Sequence, residues 1–258
     1  MQKKKSLGQH FLHSAHYLSL IADSVEIKKG ESILEIGPGE GALTQELLAR
    51  GAKVAAIEKD ARLIPLLEER FAKEIKKKQL RVVEADALEV EPHALGLEAG
   101  EFKVVGNIPY YITGALFKTF LSGTMQPSLL VFLIQKEVAE RIARSKKESI
   151  LSLSVKAYGS VTYIKTVPSG AFVPPPKVDS AILKVSDISR NNFANAAMEK
   201  RFFELVRAGF GQKRKLLARN LEKVLGNDYA SVLQKAAIKE KARAEDLELN
   251  EWLRLSQI

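Results

Sequence analysis

The first two thirds of the chain alternate short apolar runs with amphipathic stretches. Strand-length apolar runs occupy residues 32–36, 53–58, 80–84, 102–106 and 129–135. The stretches between them favour helices, as at 61–74, where Leu63, Leu67 and Phe71 recur at helical spacing. Strands that alternate with helices at this spacing predict a parallel, doubly wound α/β sheet.

The pattern changes after residue 150. Apolar runs at 151–157, 161–167 and 178–185 follow one another without amphipathic segments, which favours an antiparallel extension of the sheet. Residues 187–195 are polar and suit a linker. Helical patterns then occupy 198–210, 214–225, 229–237 and 250–255. We therefore expect a Rossmann-like α/β domain over residues 1–186 and a small α-helical domain over residues 187–258.

Composition narrows the choice of partners. The 258 residues carry a formal net charge of +9, which suits either a polyanionic partner or simple solubility. The chain has no cysteine, which excludes disulfides and thiolate metal sites and fits a reducing cytoplasm. No long apolar run predicts a membrane span or a signal peptide, and the histidines lack metal-ligand spacing. We expect a cytoplasmic protein without a metal.

A glycine-rich turn follows the first strand, in Glu35-Ile36-Gly37-Pro38-Gly39-Glu40-Gly41. Glycines permit a sharp turn and the close approach of a ligand, and the next helix begins with unpaired N–H groups. Glu58 ends the next strand, where a carboxylate can accept both hydroxyls of a ribose. A dinucleotide and S-adenosylmethionine both fit this pattern, and a ligand-free turn is the structural alternative.

Acidic residues around the turn favour S-adenosylmethionine. Its sulfonium is cationic and it has no pyrophosphate, whereas Glu35 and Glu40 flank the glycines and would repel a pyrophosphate. Asp86 follows the third strand and can accept a hydrogen bond from the cofactor adenine.

The fourth strand runs into Asn107-Ile108-Pro109-Tyr110, which suits chemistry on an adenine amino group. The lone pair of adenine N6 is delocalised into the ring, and acceptors that bind its hydrogens favour attack on a methyl group. Asn107 offers a side-chain carbonyl, and the proline turn can point the Ile108 carbonyl outward as a second acceptor. Tyr110 offers a face on which a flipped base can stack. An ordinary turn with a half-buried tyrosine is the alternative.

The chain resembles the KsgA family of small-subunit rRNA adenine N6-dimethyltransferases, relatives of the Erm large-subunit methylases. The resemblance spans nearly the whole chain. Besides the glycine turn and the Asn107–Tyr110 segment, the matching motifs are Leu7-Gly8-Gln9-His10-Phe11-Leu12, Gln135-Lys136-Glu137-Val138-Ala139, Phe172-Val173-Pro174-Pro175-Pro176-Lys177-Val178-Asp179-Ser180 and Phe210-Gly211-Gln212-Lys213-Arg214-Lys215. It implies a Rossmann-like S-adenosylmethionine methyltransferase domain followed by a small helical domain.

The resemblance also implies roles for single residues. His10, Leu12 and Gly37 would line the cofactor pocket, Glu58 would hold the ribose, and Asp86 would hold the cofactor adenine. Asn107 would lie between the cofactor and the target base, and Phe172 near that base. The family usually has asparagine at the position of His10, and histidine can form one hydrogen bond through each ring nitrogen.

We therefore expect an enzyme that transfers methyl groups from S-adenosylmethionine to N6 of two adjacent adenines in a hairpin loop near the 3′ end of small-subunit rRNA. The expected partner is this rRNA in an immature 30S-type particle, bound by a monomer. Lys213, Arg214 and Lys215 would start a helix and contact RNA, and Lys3–Lys5 form a basic arm. The alternatives are an Erm-type methylase, an assembly factor in which catalysis is secondary and, most distantly, a nicotinamide oxidoreductase.

Overall fold

The structure, a computed structural model, describes residues 10–258. Lys3–Lys5 and the Leu7–Gln9 part of the first motif lie outside the described residues. In the described part, the strands are β1 (Phe11–Leu12), β2 (Ser32–Ile36), β3 (Lys53–Glu58), β4 (Leu80–Glu84), β5 (Phe102–Asn107), β6 (Leu129–Gln135), β7 (Ser160–Val167), β8 (Phe172–Val173) and β9 (Ser180–Ser186). The helices are α1 (Ala15–Ser24), α2 (Ala42–Ala49), α3 (Ile64–Arg70), α4 (Ala72–Lys76), α5 (Thr113–Ser122), α6 (Lys136–Ala143), α7 (Ile150–Lys156), α8 (Ala196–Gly209), α9 (Leu217–Leu225), α10 (Tyr229–Lys235) and α11 (Leu249–Ser256).

Seven strands form one sheet in the order β4-β3-β2-β5-β6-β9-β7. The first five pair in parallel, and β9 and β7 pair antiparallel beyond β6. Strands β2, β5 and β6 are almost wholly buried, because helices cover a parallel sheet on both faces. The predicted α/β class with its antiparallel extension is confirmed.

Strands β2 and β5 pack closely against each other at their carboxyl ends. Gly106 is paired with Ile36, and a Cβ built on Gly106 would lie 2.7 Å from the Ile36 carbonyl oxygen. A side chain there would force the two strands apart. Glycine therefore lets the glycine turn after β2 and the Asn107 segment after β5 lie side by side.

A two-stranded sheet ties the start of the described chain to the segment before β9. Leu12 pairs with Phe172 and Phe11 with Val173, and the His13 N–H donates to the Ala171 carbonyl at 3.1 Å. This pairing holds residues 10–13 beside the carboxyl ends of the parallel strands.

Contacts divide the chain into two units. The first holds the residues up to Ala139 together with Ser160–Ile188, and the second holds Glu140–Gly159 and Ser189–Ile258. The sequence predicts domains over residues 1–186 and 187–258, whereas contacts within the chain group residues 140–159 with the second unit. No helix in residues 10–258 has the length and apolar character needed to cross a membrane.

The predicted strand at 151–157 is wrong, because this segment forms helix α7. The Ser149 hydroxyl accepts from the Ser152 N–H at 3.1 Å, and the Ser152 hydroxyl accepts from the Ser149 N–H at 2.7 Å. This reciprocal cap starts a helix. Apolar residues and serines alternate here with the period of a β-strand, but the serine cap stabilises a helix instead.

The structure places the basic cluster Lys213-Arg214-Lys215 outside the helix in which it was predicted. Helix α9 begins at Leu217, whose N–H donates to the Ala242 carbonyl at 2.9 Å, and not at Arg214. The Asn220 side chain donates to the carbonyls of Gly209 and Gln212 and so holds the loop after α8. Lys213, Arg214 and Lys215 are exposed on that loop rather than on a helix.

Candidate functional site

The glycine turn joins β2 to α2 with left-handed backbone at three positions. Gly37, Gly39 and Gly41 have φ of 66°, 60° and 83°. A Cβ on Gly39 would lie 2.7 Å from the Phe11 ring, and one on Gly41 would lie 2.5 Å from the Phe71 ring. Both backbone conformation and space therefore require glycine at these two positions.

Glu58 ends β3 beside this turn and is buried. Its carboxylate accepts from the Gly39 N–H at 3.1 Å and from the Asp60 N–H at 2.9 Å. The Gly37 N–H donates to the Ile57 carbonyl at 2.9 Å, which joins the turn to the same strand. A carboxylate has about four acceptor positions, so Glu58 can still accept from a ligand.

Asn107 ends β5 next to Gly37, with its backbone oxygen 3.7 Å from a Cβ built on that glycine. The Asn107 Nδ2 donates to the His10 carbonyl at 2.8 Å. This bond orients the side-chain amide and leaves Oδ1 as an acceptor for a ligand. The fully buried Ile108 anchors the turn that follows.

Tyr110 and His10 form one wall of the site. The Tyr110 hydroxyl bonds to the buried Ser180 hydroxyl at 2.8 Å. The His10 ring lies 6.3 Å from the Tyr110 ring with 24° between their planes. The His10 Nδ1 is 2.8 Å from the Pro174 carbonyl oxygen, which can only accept, so Nδ1 carries the hydrogen. In the neutral ring, Nε2 remains an acceptor.

These groups line one cavity of about 200 Å³. It brings together eight predicted site residues: His10, Gly37, Glu58, Asp86, Asn107, Ile108, Pro109 and Tyr110. Gly39 and Phe11 contribute to the same walls, together with apolar side chains from the ends of β2, β3 and β4. The cavity thus lies at the carboxyl ends of the parallel strands, where ligands bind in open α/β sheets.

Two predicted residues lie behind this cavity rather than on its wall. Leu12 is buried and lines a smaller cavity beneath the glycine turn. Phe172 is 2% exposed and packs in the hydrophobic core, opposite Leu12 in the β1–β8 pair. Phe172 therefore does not line this cavity, and its expected place near a target base stays a prediction. Lys213, Arg214 and Lys215 belong to the second unit.

Sequence reasoning did not identify Lys59 and Tyr111 as cavity residues. The Lys59 ammonium bonds to Asp86 Oδ2 at 2.5 Å, and this hydrogen bond lowers the pKa of Asp86. Tyr111 is 67% exposed at the mouth of the cavity. Each follows directly after a predicted residue, Glu58 or Tyr110, and that adjacency was the available signal.

Burial of carboxylates gives the site its electrostatic character. Desolvation raises the pKa of Glu58, against the lowering effect of its backbone hydrogen bonds. Glu35 is 1% exposed, and burial raises its pKa to about 8. Its Oε2 accepts from the Thr44 hydroxyl at 2.7 Å, whereas Oε1 has no hydrogen-bond partner in the described part of the chain. Glu35 does not line the cavity, so the carboxylates on the cavity wall are Glu58 and Asp86, which suit a ligand that carries hydrogen-bond donors.

Comparison with known families and sequences identifies relatives over the whole length. The model of the family described as "Ribosomal RNA adenine dimethylase" matches residues 1–258. A Dehalococcoides mccartyi (strain CBDB1) protein named "Ribosomal RNA small subunit methyltransferase A" is 40% identical, over 99% of this chain and 88% of the relative. A protein of the same name from Bacillus pumilus is 36% identical, over 99% of this chain and 90% of the relative.

Comparison with solved structures identifies proteins that share this fold over most of the chain. The 23S rRNA methyltransferase ErmE aligns with a TM-score of 0.77 and 27% identity, over 96% of this chain and 98% of ErmE. A dimethyladenosine transferase from Plasmodium falciparum aligns with a TM-score of 0.78 and 27% identity, over 95% and 96%. Within residues 10–258, no group of three or more His, Cys, Asp or Glu side chains could hold a metal ion.

The raised pKa of Glu35 predicts a pH-dependent stability. In the unfolded chain Glu35 ionises near the ordinary glutamate pKa of 4.5, whereas in the folded chain its pKa is about 8. Folding therefore loses stability as pH rises between these values, by on the order of 1 kcal/mol per pH unit. Glu35→Gln removes this loss, so the variant should gain stability relative to the wild type from pH 5 to pH 8. Urea denaturation at four pH values measures it, and stability curves that stay parallel would contradict the assignment.

Proposed function

The chain belongs to the ribosomal RNA adenine dimethylase family, and from this we propose that it transfers methyl groups from S-adenosylmethionine to N6 of two adjacent adenines in a hairpin loop near the 3′ end of small-subunit rRNA. As a member of the family it is an rRNA adenine methyltransferase. The convergence of Glu58 and the Asn107–Tyr110 turn on one cavity is the observation that carries the proposal.

The residues present fit S-adenosylmethionine. Glu58 has acceptor positions for the two ribose hydroxyls, and Asp86 can accept from the adenine amino group. Gly37 and Gly39 line the cavity without side chains, so a ligand in the cavity can approach their backbone. Glu58 and Asp86 on the cavity wall would also favour a cationic ligand, and the cofactor would supply an electrophilic methyl group when bound. His10 Nε2 is a further acceptor at this wall.

The Asn107–Tyr110 turn then positions the target adenine. Asn107 Oδ1 and the Ile108 carbonyl accept from the N6 amino group, which returns electron density to the nitrogen as it attacks. The Tyr110 ring, fixed through Ser180, offers a stacking surface for the base. No strong base is required, because the methylated nitrogen is cationic and releases its proton to water. Leu12 and Phe172 support this wall from within the core.

Similarity favours the small subunit over the large one. The relatives at 36–40% identity are named small-subunit methyltransferases, whereas the large-subunit enzyme ErmE is 27% identical. An assembly factor with secondary catalysis is less well supported, because the complete Asn107–Tyr110 turn lines the cavity.

The remaining proposals concern RNA binding, oligomeric state and location in the cell. Exposed Lys213, Arg214 and Lys215 suit contacts with RNA phosphates, which position a substrate without reading its sequence. Because a hairpin loop presents unpaired bases, splaying out its adenines costs less free energy than in a duplex. We propose that the enzyme acts as a cytoplasmic monomer on an immature small subunit.

Methyl transfer tests the proposed function directly. The protein is incubated with methyl-labelled S-adenosylmethionine and either unmethylated small subunits or large subunits, and the rRNA is digested to nucleosides. We expect labelled N6,N6-dimethyladenosine from the small subunit alone, at two adjacent positions. Label confined to large-subunit rRNA would support the Erm-type alternative, and absence of label from both would overturn the proposal.

Asn107→Ala should slow the chemical step far more than it weakens RNA binding. The lost acceptor matters most as positive charge develops on N6, so we expect single-turnover methylation to slow by about 100-fold. RNA affinity measured by filter binding should stay within about twofold of wild type, because the base keeps its stacking surface. A methylation rate within a factor of two of wild type in a folded variant would remove Asn107 from catalysis.

A further inference from the structure

The edge of the sheet opposite the cavity carries a group of exposed lysines. Lys28 and Lys29 precede β2, Lys53 begins β3, and Lys76, Lys77 and Lys78 lead into β4. All six side chains are exposed. We call them the amino-edge lysines, since they lie where the parallel strands begin.

Backbone hydrogen bonds make these three segments neighbours. The Lys53 N–H donates to the Glu31 carbonyl at 2.9 Å, and the Val54 N–H donates to the Gln79 carbonyl at 2.8 Å. The Gly30 N–H donates to the Gly51 carbonyl at 2.8 Å. The amino-edge lysines therefore form one continuous surface across the ends of β2, β3 and β4.

Acidic groups do not neutralise this surface. In residues 10–258, no ion pair joins the ammonium group of an amino-edge lysine to a carboxylate, although the backbone N–H of Lys28 donates to the Glu31 carboxylate at 2.9 Å. The acids on this edge have other cations: Glu31 pairs with Lys103 at 2.9 Å, and Glu26 pairs with Lys184. Glu101 lies before β5, on the far side of β2. The positive charge thus stays concentrated over three strand ends.

Lys78 has an unusual backbone conformation, which limits the substitutions that can be used there. Lys78 has a φ of 57°, in the left-handed region, just after the end of α4. Glycine or asparagine occupies this conformation at lower free-energy cost than lysine. Glu26, Asp187 and Ala237 have the same left-handed backbone, so this conformation guides the choice of substitution at Lys78 and does not itself indicate a ligand.

The distance across the sheet separates this surface from the cavity. Strands β2, β3 and β4 have five or six residues each, so their two ends lie roughly 17–20 Å apart. The adenine that enters the cavity is therefore too far away to contact the amino-edge lysines. RNA at these lysines would be formed by nucleotides other than the target adenine.

We propose that the amino-edge lysines bind backbone phosphates of a second RNA segment of the small subunit, outside the hairpin that is methylated. The proposal rests on the proposed function for the identity of the particle. Lysine ammonium groups on flexible stems suit phosphates as point charges and carry no base specificity. This surface would position the enzyme on the particle rather than select the adenine.

The test compares a neutral variant with a charge-preserving one. The neutral variant carries Lys53→Thr, Lys77→Gln and Lys78→Asn; threonine suits a strand and asparagine suits the left-handed backbone, so folding should be retained. The control carries arginine at the same three positions. Binding to small subunits and to a short hairpin RNA with the target loop is measured between 50 and 200 mM salt, roughly the range in which phosphate contacts dominate.

We expect the neutral variant to bind small subunits about tenfold or more weakly at low salt. The log–log salt slope should fall by up to about 2–3 if each lysine contacts one phosphate. Hairpin binding and hairpin methylation should equal those of wild type, and the arginine control should match wild type on both substrates. Alanine at Lys213, Arg214 and Lys215 serves as a comparison variant from the second unit.

Three results would overturn the proposal. Unchanged subunit binding at every salt concentration would make the amino-edge lysines a solvated surface. Equal weakening for hairpin and subunit would show that the two edges do not bind separate segments. A defect seen with whole particles but not with protein-free small-subunit rRNA would assign the surface to an acidic protein. Failure of the proposed function can be distinguished from these results, because the wild-type enzyme would then not methylate the small subunit.

Discussion

The buried carboxylate of Glu58 is the interaction on which the site depends. It accepts the Gly39 N–H and the Asp60 N–H, and so joins the end of β3 to the glycine turn after β2. The glycine turn also packs against the Phe11 ring, which leaves no room for a side chain at Gly39. Because the Asn107 side chain donates to the His10 carbonyl, its amide oxygen is also held in one orientation at the cavity wall. Glu58 thus positions the turn and also faces the cavity.

Burying acidic groups at this edge costs stability and prepares the site for its ligand. Desolvation raises the pKa values of Glu35 and Glu58, so both carboxylates are harder to ionise in the folded protein without a ligand. In the proposed function, the ribose hydroxyls of the cofactor would donate to Glu58 and offset part of this cost, whereas Glu35 does not line the cavity.

Sequence reasoning predicted the features that depend on local pattern. Left-handed glycines, an acid at the end of the next strand and the Asn107–Tyr110 turn each have a short-range signature, and all meet at the cavity. The sequence prediction failed where a local capping motif was overlooked and where contacts between residues distant in sequence decide the structure. Serine caps turned 151–157 into helix α7, and the Ala242 carbonyl fixed the start of α9 at Leu217. Strand pairing with Leu12 buried Phe172, and the Lys59–Asp86 ion pair joins residues distant in sequence.

Calorimetric titration of S-adenosylmethionine into Glu58 variants tests the central claim most directly. Glu58→Gln should weaken binding by about 30- to 100-fold, which corresponds to the roughly 2–3 kcal/mol of hydrogen bonds to a charged group. Asp60→Asn is the matched control, because it neutralises an adjacent buried carboxylate that pairs with Arg62 and does not line the cavity. The account predicts that this control binds within about threefold of wild type, since its carboxylate makes no ligand hydrogen bond. Unchanged affinity in a folded Glu58→Gln variant would contradict the account.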